Sequence, residues 1–317
     1  MFISVVIPTY NRRPILEKCL LALESQAGLS IPDESTPKVI EYEVIVVDDG
    51  STDGTPNWLR LQSTKFPHVC LVEQKHSGPA EGRNRGVLQA HGDIIIFIDS
   101  DLVVKENFLS CHARALSRSW SCRGNRLTFT YGAVINTTNF ENPTSEPYKL
   151  RDLSWAYFAT GNVAIDRKVL EQSGMFDTSF YLYGWEDLEL GERLRQMGVD
   201  MIRCPEALGY HWHPPFHLDQ IPDLIRIEHE RAKMGIVFYQ KHPTCRVRLI
   251  IQFTWLHRLF WELMTLGGLL NEHSLRPLLA YLISHGYPGV AMEILRLPLN
   301  LIVVRALRHE VALIRRR

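Results

Sequence analysis

Through the first hundred residues, short apolar runs alternate with stretches in which apolar side chains recur every three or four positions. Ile3–Ile7 is a β-branched run, interrupted only by Ser4 and closed by Pro8, and it predicts a strand. Pro14–Ser25 places Ile15, Leu16, Cys19, Leu20 and Leu23 on one helical face. Pro14 falls in the first turn, where a missing N–H costs nothing. Gln26–Lys38 reads as a loop, with Gly28, Pro32 and Pro37. Tyr42–Val47 is a second apolar run that ends in Asp48-Asp49-Gly50-Ser51. Thr55-Pro56 supplies an N-cap followed by proline, so a helix is expected from Thr55. Val69–Glu73 is a third strand, Gly82–Ala90 a helix stopped by Gly92, and Asp93–Ile98 a fourth strand ending in Asp99-Ser100-Asp101.

Strands that are apolar throughout and alternate with helices form a largely parallel sheet covered on both faces, an α/β architecture. Ligands in such sheets bind beyond the carboxyl ends of the strands. Three of these ends carry polar clusters: Thr9-Tyr10-Asn11-Arg12, Asp48-Asp49, and Asp99-Ser100-Asp101. The second half is less regular. Leu127–Ile135 and Thr160–Ile165 read as strands, with the polar loop Asn136–Pro147 between them. Asp166 can cap a short helix ended by Gly174. Asp187–Met197 opens on acids, carries Arg193 and Arg195 near its end, and stops at Gly198, the charge order a helix dipole favours.

The chain has 317 residues, room for one large domain or two modest ones. Lys plus Arg is 35 and Asp plus Glu is 35, which argues against a nucleic-acid partner. That zero conceals a division. Residues 231–317 hold 13 basic and 4 acidic side chains, +9, leaving −9 on the first 230. Val247–Phe260 and Ile294–Ile314 recur at helical spacing, yet no run reaches the ~18 apolar residues of a membrane span. Pro277–Met292, the longest charge-free stretch, is broken by Gly286, Pro288 and Gly289. Basic amphipathic helices bearing Trp255, Phe260 and Trp261 fit attachment to an anionic membrane surface. They fit equally a helical subdomain on the catalytic domain, or a surface for homo-oligomer formation. The six cysteines contain no C-x-x-C pair, and Met1–Pro8 has no basic segment ahead of a long apolar core. Reduced thiols and a cytoplasmic location, peripheral on the inner face of the membrane if the tail attaches there, are the expectation.

Asp99 and Asp101, two positions apart after a buried strand, can present oxygens to one Mn²⁺ or Mg²⁺ ion, which would neutralise a leaving diphosphate. A lone D-x-D is more often a polar turn, and the neighbouring strand ends are what favour the site. Asp48–Gly54 is either turn chemistry or a carboxylate facing a nucleobase N–H. It is not a calcium loop, because Leu59 stands where the bidentate Glu would be. Glu186-Asp187 is either a helix N-terminal cap or a catalytic pair. A carboxylate at a helix start is expected to stay ionised, as a general base requires. In Tyr210-His211-Trp212-His213, either histidine could ligate a metal or pack. Trp185 and Trp212 could stack on sugar rings or belong to the core.

Four motifs taken together resemble glycosyltransferase family 2. They are Val5-Val6-Ile7-Pro8-Thr9-Tyr10-Asn11-Arg12, Val46-Val47-Asp48-Asp49-Gly50-Ser51-Thr52-Asp53-Gly54-Thr55, Gly82-Arg83-Asn84-Arg85-Gly86 with Gly92-Asp93, and Phe97-Ile98-Asp99-Ser100-Asp101. Gly161-Asn162, Gly174-Met175-Phe176-Asp177 and Gly184-Trp185-Glu186-Asp187-Leu188-Glu189 resemble the galactosyltransferase-like acceptor half of inverting members. The resemblance covers residues 2–215 and implies a GT-A-type sheet. Residues 1–230 would be the transferase domain, with 1–125 binding the nucleotide sugar and 126–230 the acceptor. Residues 231–317 would be a basic helical extension.

The resemblance implies an inverting, metal-dependent transfer from a nucleoside diphosphate sugar, UDP-linked in the first instance. The hydroxyl acceptor would be a saccharide, lipid-linked or other molecule in polysaccharide, glycolipid or glycan synthesis. Pro8, Thr9, Tyr10, Arg12, Asp49, Gly78, Arg83, Asp99 and Ser100 would hold the donor. Asp101, Asp99 and His211 would bind the metal. Asp187 would be the base with Glu186 beside it, and Trp185, Gly161, Asn162 and Trp212 would meet the acceptor. A non-catalytic nucleotide-sugar-binding or scaffold subunit is the rival reading. A nucleotidyltransferase would need a glycine-rich basic loop that Pro8–Pro14 does not supply.

Overall fold

A computed structural model of the chain describes residues 1–31, 38–122, 127–147 and 156–314. The first half runs β1 (Phe2–Thr9), α1 (Arg13–Glu24), a two-residue pair β2 (Ser30–Ile31) and β3 (Lys38–Val39), and β4 (Glu41–Asp48). It continues through α2 (Thr55–Leu61), β5 (Val69–Glu73), α3 (Pro79–Gln89), β6 (Ile94–Ile98), β7 (Leu102–Val104) and α4 (Phe108–Cys122). There follow β8 (Thr128–Thr137), β9 (Asn162–Asp166), α5 (Arg167–Gln172), α6 (Glu186–Gln196) and β10 (Asp200–Trp212). Eight strands form one sheet in the order β5-β4-β1-β6-β9-β8-β10-β7. β5, β4, β1 and β6 are parallel, as is β8 with β10, while β9 and β7 are antiparallel to their neighbours.

The predicted two-sided cover is literal in the side chains. Ile3, Val5 and Ile7 pack with Leu16, Leu20 and Leu109 on one face, so α1 and α4 cover it. Val6 packs with Ile45, Val47, Val87, Leu190 and Leu194 on the other, under α3 and α6. The five residues foreseen on the α1 face are its buried residues. α3 lies close to the sheet because residue 86 is glycine. A Cβ there would stand 2.4 Å from Val6 Cγ1.

Some expectations shift. Pro8 does not end β1, which continues to Thr9 alongside β4. Pairing with β6 stops at Val6, so the proline's missing N–H breaks no ladder on that side. Gly54, at φ 82°, is the N-cap of α2 rather than Thr55. Thr55 is the first helical residue, and Asp53 accepts its N–H (3.1 Å) and hydroxyl (2.6 Å). Asp166 caps α5 as expected, accepting from the N–H of Lys168 (2.7 Å) and Val169 (3.4 Å).

β7, α4 and β10 add to the expected elements: β7 is only three residues long, β10 contains Pro205, and α4 buries Phe108, Leu109, Ala113 and Leu116 at helical spacing. β10 pairs with β8 but is bulged between Cys204 and Leu208, and Pro205 is accommodated there. Asn162 repairs the bulge. Its Nδ2 donates to the carbonyls of Ala133 (2.9 Å) and Ala207 (2.8 Å), and its Oδ1 meets His112 Nε2 at 2.9 Å. His112 Nδ1 meets Thr130 Oγ1 at 2.7 Å. Burial pushes this imidazole's pKa down to about 4, so it is neutral and its two nitrogens serve one as donor and one as acceptor.

The chain forms two compact units. The first is Met1–Tyr181 with Glu186–His213, and contains the sheet. The second is Leu182–Trp185 with Pro214–Arg317, so the helical unit begins ahead of residue 231. It is built from α7 (Ile221–Lys241), α8 (Cys245–Ile250), α9 (Trp255–Met264), α10 (Arg276–Ser284) and α11 (Pro288–Ile314). One of its cores gathers Phe216, Ile221, Leu279, Leu295 and Leu299. No helix is long and apolar enough to cross a membrane among the described residues.

Candidate active site

Asp99, Ser100 and Asp101 follow β6, where the strand leaves the sheet for β7. β7 pairs antiparallel with the end of β10 in the register His211↔Leu102, and the Trp212 N–H donates to the Asp101 carbonyl at 2.9 Å. That register sets the His211 imidazole against Asp101, Nε2 to Oδ1 at 2.8 Å. Donor atoms of Asp99, Asp101 and His211 lie within 4.8 Å of one another, the group of metal-ligating character among the described residues. Two carboxylates and an imidazole suit Mn²⁺ or Mg²⁺, with phosphate and water completing the shell. Gly161 flanks the group, since a Cβ there would stand 3.4 Å from Asp99 Oδ2.

The second histidine sits outside this group. The His213 ring is tilted against the His211 ring with centroids 4.2 Å apart, but its Nε2 meets Asn136 Oδ1 at 3.2 Å. Arg12 pairs with the other oxygen of Asp101. Burial opposes ionisation of Asp101, but the hydrogen bond to His211 and the charges of His211 and Arg12 outweigh it and hold the carboxyl below its usual range. Burial likewise disfavours the charged His211, and Asp101 overrides it and raises the imidazole.

Arg83, on α3 and buried, links this group to α6. Its Nη2 donates to Asp99 Oδ1 at 3.2 Å and its Nη1 to Glu186 Oε1 at 2.9 Å. Arg83 Nε and Glu186 Oε2 are buried with no protein partner, two polar atoms left for a ligand or water. Asn84 fixes this end of α3 by a reciprocal pair of bonds with the backbone of Phe176, 2.8 and 2.9 Å. Asp187 follows at the start of α6 and accepts the Leu188 N–H at 2.7 Å. The helix start does not keep this carboxyl in the ordinary acid range. Burial and then the negative charge of Glu186 push its pKa up to about 7, with Arg83 opposing them.

The residues expected to meet the nucleotide lie at the tips of β1 and β4, beside the end of β5. Asp49 is clamped: Gln74 Nε2 (2.7 Å) and the Ser77 N–H (2.8 Å) donate to Oδ1, and the Gly78 N–H donates to Oδ2 at 3.0 Å. His76 Nδ1 stands 2.9 Å from Oδ2. The φ of 90° at Gly78 permits this turn. Tyr10 and His76 hold their rings 4.5 Å apart, and the tyrosine is half exposed. Pro8 borders this end, Thr9 is buried with an unpartnered hydroxyl, and Ser100 is buried. Gln74, His76 and Ser77 were not foreseen. They follow β5, a fourth strand end whose Glu73-Gln74-Lys75-His76 lacks the paired acids that flagged the others.

The four expected acceptor residues separate. Gly161 lines Asp99. Trp212 packs edge-on to Phe140 at 5.3 Å, with its indole N–H buried and unpartnered. Asn162 is enclosed in the sheet and spends its amide on the β10 bulge. Trp185 belongs to the helical unit, donating from Nε1 to the Arg231 carbonyl (2.7 Å), with the Arg231 guanidinium 5.1 Å from its ring.

Known proteins resemble this chain in sequence and in fold. The family profile described as glycosyl transferase family 2 fits residues 4–174, and one described as N-terminal domain of galactosyltransferase fits residues 143–217. The chain is 30% identical over 222 residues to the glycosyltransferase AglE of Haloferax volcanii, covering 68% of each. It is 26% identical over 273 residues to the uncharacterized glycosyltransferase YfnE of Bacillus subtilis, covering 70% of this chain and 67% of that one. The mannosyltransferase PcManGT of Pyrobaculum calidifontis, solved with GDP-Man and Mn²⁺, superposes with a TM-score of 0.60 at 21% identity, over 98% of this chain and 86% of its own. The fold is thus of the GT-A class, a mostly parallel sheet flanked by helices and followed by further helices. The chain belongs to glycosyltransferase family 2 and is a glycosyltransferase that uses a nucleotide sugar.

Proposed function

We propose that the chain is an inverting, cation-dependent enzyme that moves a sugar from a nucleoside diphosphate sugar to a hydroxyl in polysaccharide, glycolipid or glycan synthesis. The observation that carries this reading is that Arg83 bridges Glu186, the chain neighbour of Asp187, to Asp99, whose carboxylate shares one cluster with Asp101 and His211. A carboxyl raised to about 7 thus adjoins one end of the bridge, and a group of metal-ligating donors holds the other.

Asp99, Asp101 and His211 would hold Mn²⁺ or Mg²⁺, which would offset charge on the leaving diphosphate. Tyr10, Pro8 and Thr9 border the nucleobase. Asp49, held by four neighbours, faces it as an acceptor together with Gln74, and Arg12, Gly78 and Ser100 complete the donor side. Asp187 is the general base: its carboxylate takes the proton from the acceptor hydroxyl as that oxygen attacks the anomeric carbon opposite the departing diphosphate. A base near 7 is about half ionised at neutral pH, so it keeps an anionic fraction and still binds the proton well. Glu186 and Arg83 position it and set its proton affinity. Gly161 leaves space at Asp99.

The test pairs donor binding with transfer. UDP- and GDP-linked sugars are screened by calorimetry with Mn²⁺, and transfer by product detection. Asp187→Asn is expected to keep donor binding and lose transfer, whereas Asp101→Asn loses cation-dependent donor binding itself. Wild-type turnover in Asp187→Asn would remove the base assignment.

A further inference from the structure

α9 is turned inside out. Trp255, Leu256, Leu259, Phe260, Leu263 and Met264 share one helical face and are 43% to 67% exposed. The polar side of the same helix makes the contacts within its unit. Glu262 Oε2 accepts from Arg305 Nη2 on α11 at 2.8 Å, and Trp261 Nε1 donates to Gln252 Oε1 at 2.6 Å. Leu266 and Leu269, more than 60% exposed in the turn that Gly267 and Gly268 permit, prolong the apolar strip. A water-facing helix ordinarily shows the reverse arrangement.

Charge identifies what covers it. The exposed face carries no acid. From Cys245 onward there are 10 basic and 4 acidic residues. Arg248 before α9 and Arg276 after it are exposed, and neither has a carboxylate partner among the described residues. A two-fold contact with a second copy would set these same basic groups against themselves. An anionic bilayer surface instead supplies both what the apolar face and what the arginines need, and a tryptophan–leucine–phenylalanine helix of this length lies in such a surface rather than crossing it.

We propose that the helical unit docks on anionic membranes through the outward face of α9. This reading stands apart from the transfer chemistry. The experiment sediments the full chain with phosphatidylcholine vesicles with or without about 30% phosphatidylglycerol, at low and high salt. Binding to the anionic vesicles is expected, weakened by salt. Trp255→Ser/Phe260→Ser should lower the partition coefficient about tenfold or more while donor hydrolysis and the circular dichroism spectrum stay those of wild type. Arg248→Gln/Arg276→Gln should weaken binding only where phosphatidylglycerol is present. Absence of wild-type binding to anionic vesicles, or undiminished binding by the aromatic double variant, overturns the proposal. So does a dimer in sedimentation velocity that this variant dissolves without any vesicle binding by wild type.

Discussion

The raised carboxyl of Asp187 predicts a pH profile that one neighbour should move. In kcat/KM, with cation saturating, activity should rise tenfold per pH unit below about 7 and level above it, as a single base loses its proton. At one pH unit below the midpoint, about a tenth of the base is ionised. Burial is the larger cause of the rise and Glu186 the second, while Arg83 acts the other way. Glu186→Gln removes a negative charge, so the limb should shift to lower pH. Arg83→Met removes a positive charge, so its residual activity should shift to higher pH. The same shift is visible without turnover. A carboxyl whose pKa is raised on folding binds more protons in the folded than in the unfolded state, so stability falls as pH climbs from the unfolded value of 3.8 to about 7. The full displacement corresponds to about 4 kcal/mol at most, and solvent at this partly exposed group reduces it. Asp187→Asn should therefore gain thermal stability over wild type at pH 8 and lose that gain below pH 4. A flat kcat/KM profile, or a limb unmoved in Glu186→Gln, would refute the assignment of the base and the electrostatics behind it.

Other outcomes follow from single contacts. Arg12→Ala should raise Mn²⁺ affinity in a paramagnetic resonance titration, because the guanidinium occupies an oxygen of Asp101 that a cation would use. Gly86→Ala should cost about 1–3 kcal/mol in denaturant unfolding, since its methyl would overlap Val6 and α3 must lift from the sheet. Asn162→Leu should cost about 1–3 kcal/mol for each group left unsatisfied among the Ala133 carbonyl, the Ala207 carbonyl and His112, with the loss appearing in unfolding rather than in KM.

What could be read in the chain divides by how local the physics is. β1, β4 and β6 announce themselves because their central residues are buried on both faces, so apolar side chains run on almost without a break and no distant partner is needed to recognise them. The caps at Asp166 and Gly198 are local for the same reason. β10 is different. Pro205 and Glu206 would disqualify it as an interior strand, and only the bulge, closed by Asn162 from another strand, makes it one. The candidate carboxylates Asp49, Asp99 and Asp101 were legible as candidates because several apolar strands end in acids together, where a single such end would read as a polar turn.

Their states were not legible. Asp187 sits at a helix start, where the dipole favours the anion, yet burial and then the charge of Glu186 outweigh that effect. The choice between His211 and His213 turned on a register between β7 and β10 that no motif encodes. Asn162, named by the family resemblance, and Trp185, a ring that could stack on a sugar, have surroundings that no motif announces: the amide of one bonds to the sheet and the indole of the other to α7. A strand end nominates a residue for chemistry; the hydrogen bonds already made by its side chain decide whether it is free to take part.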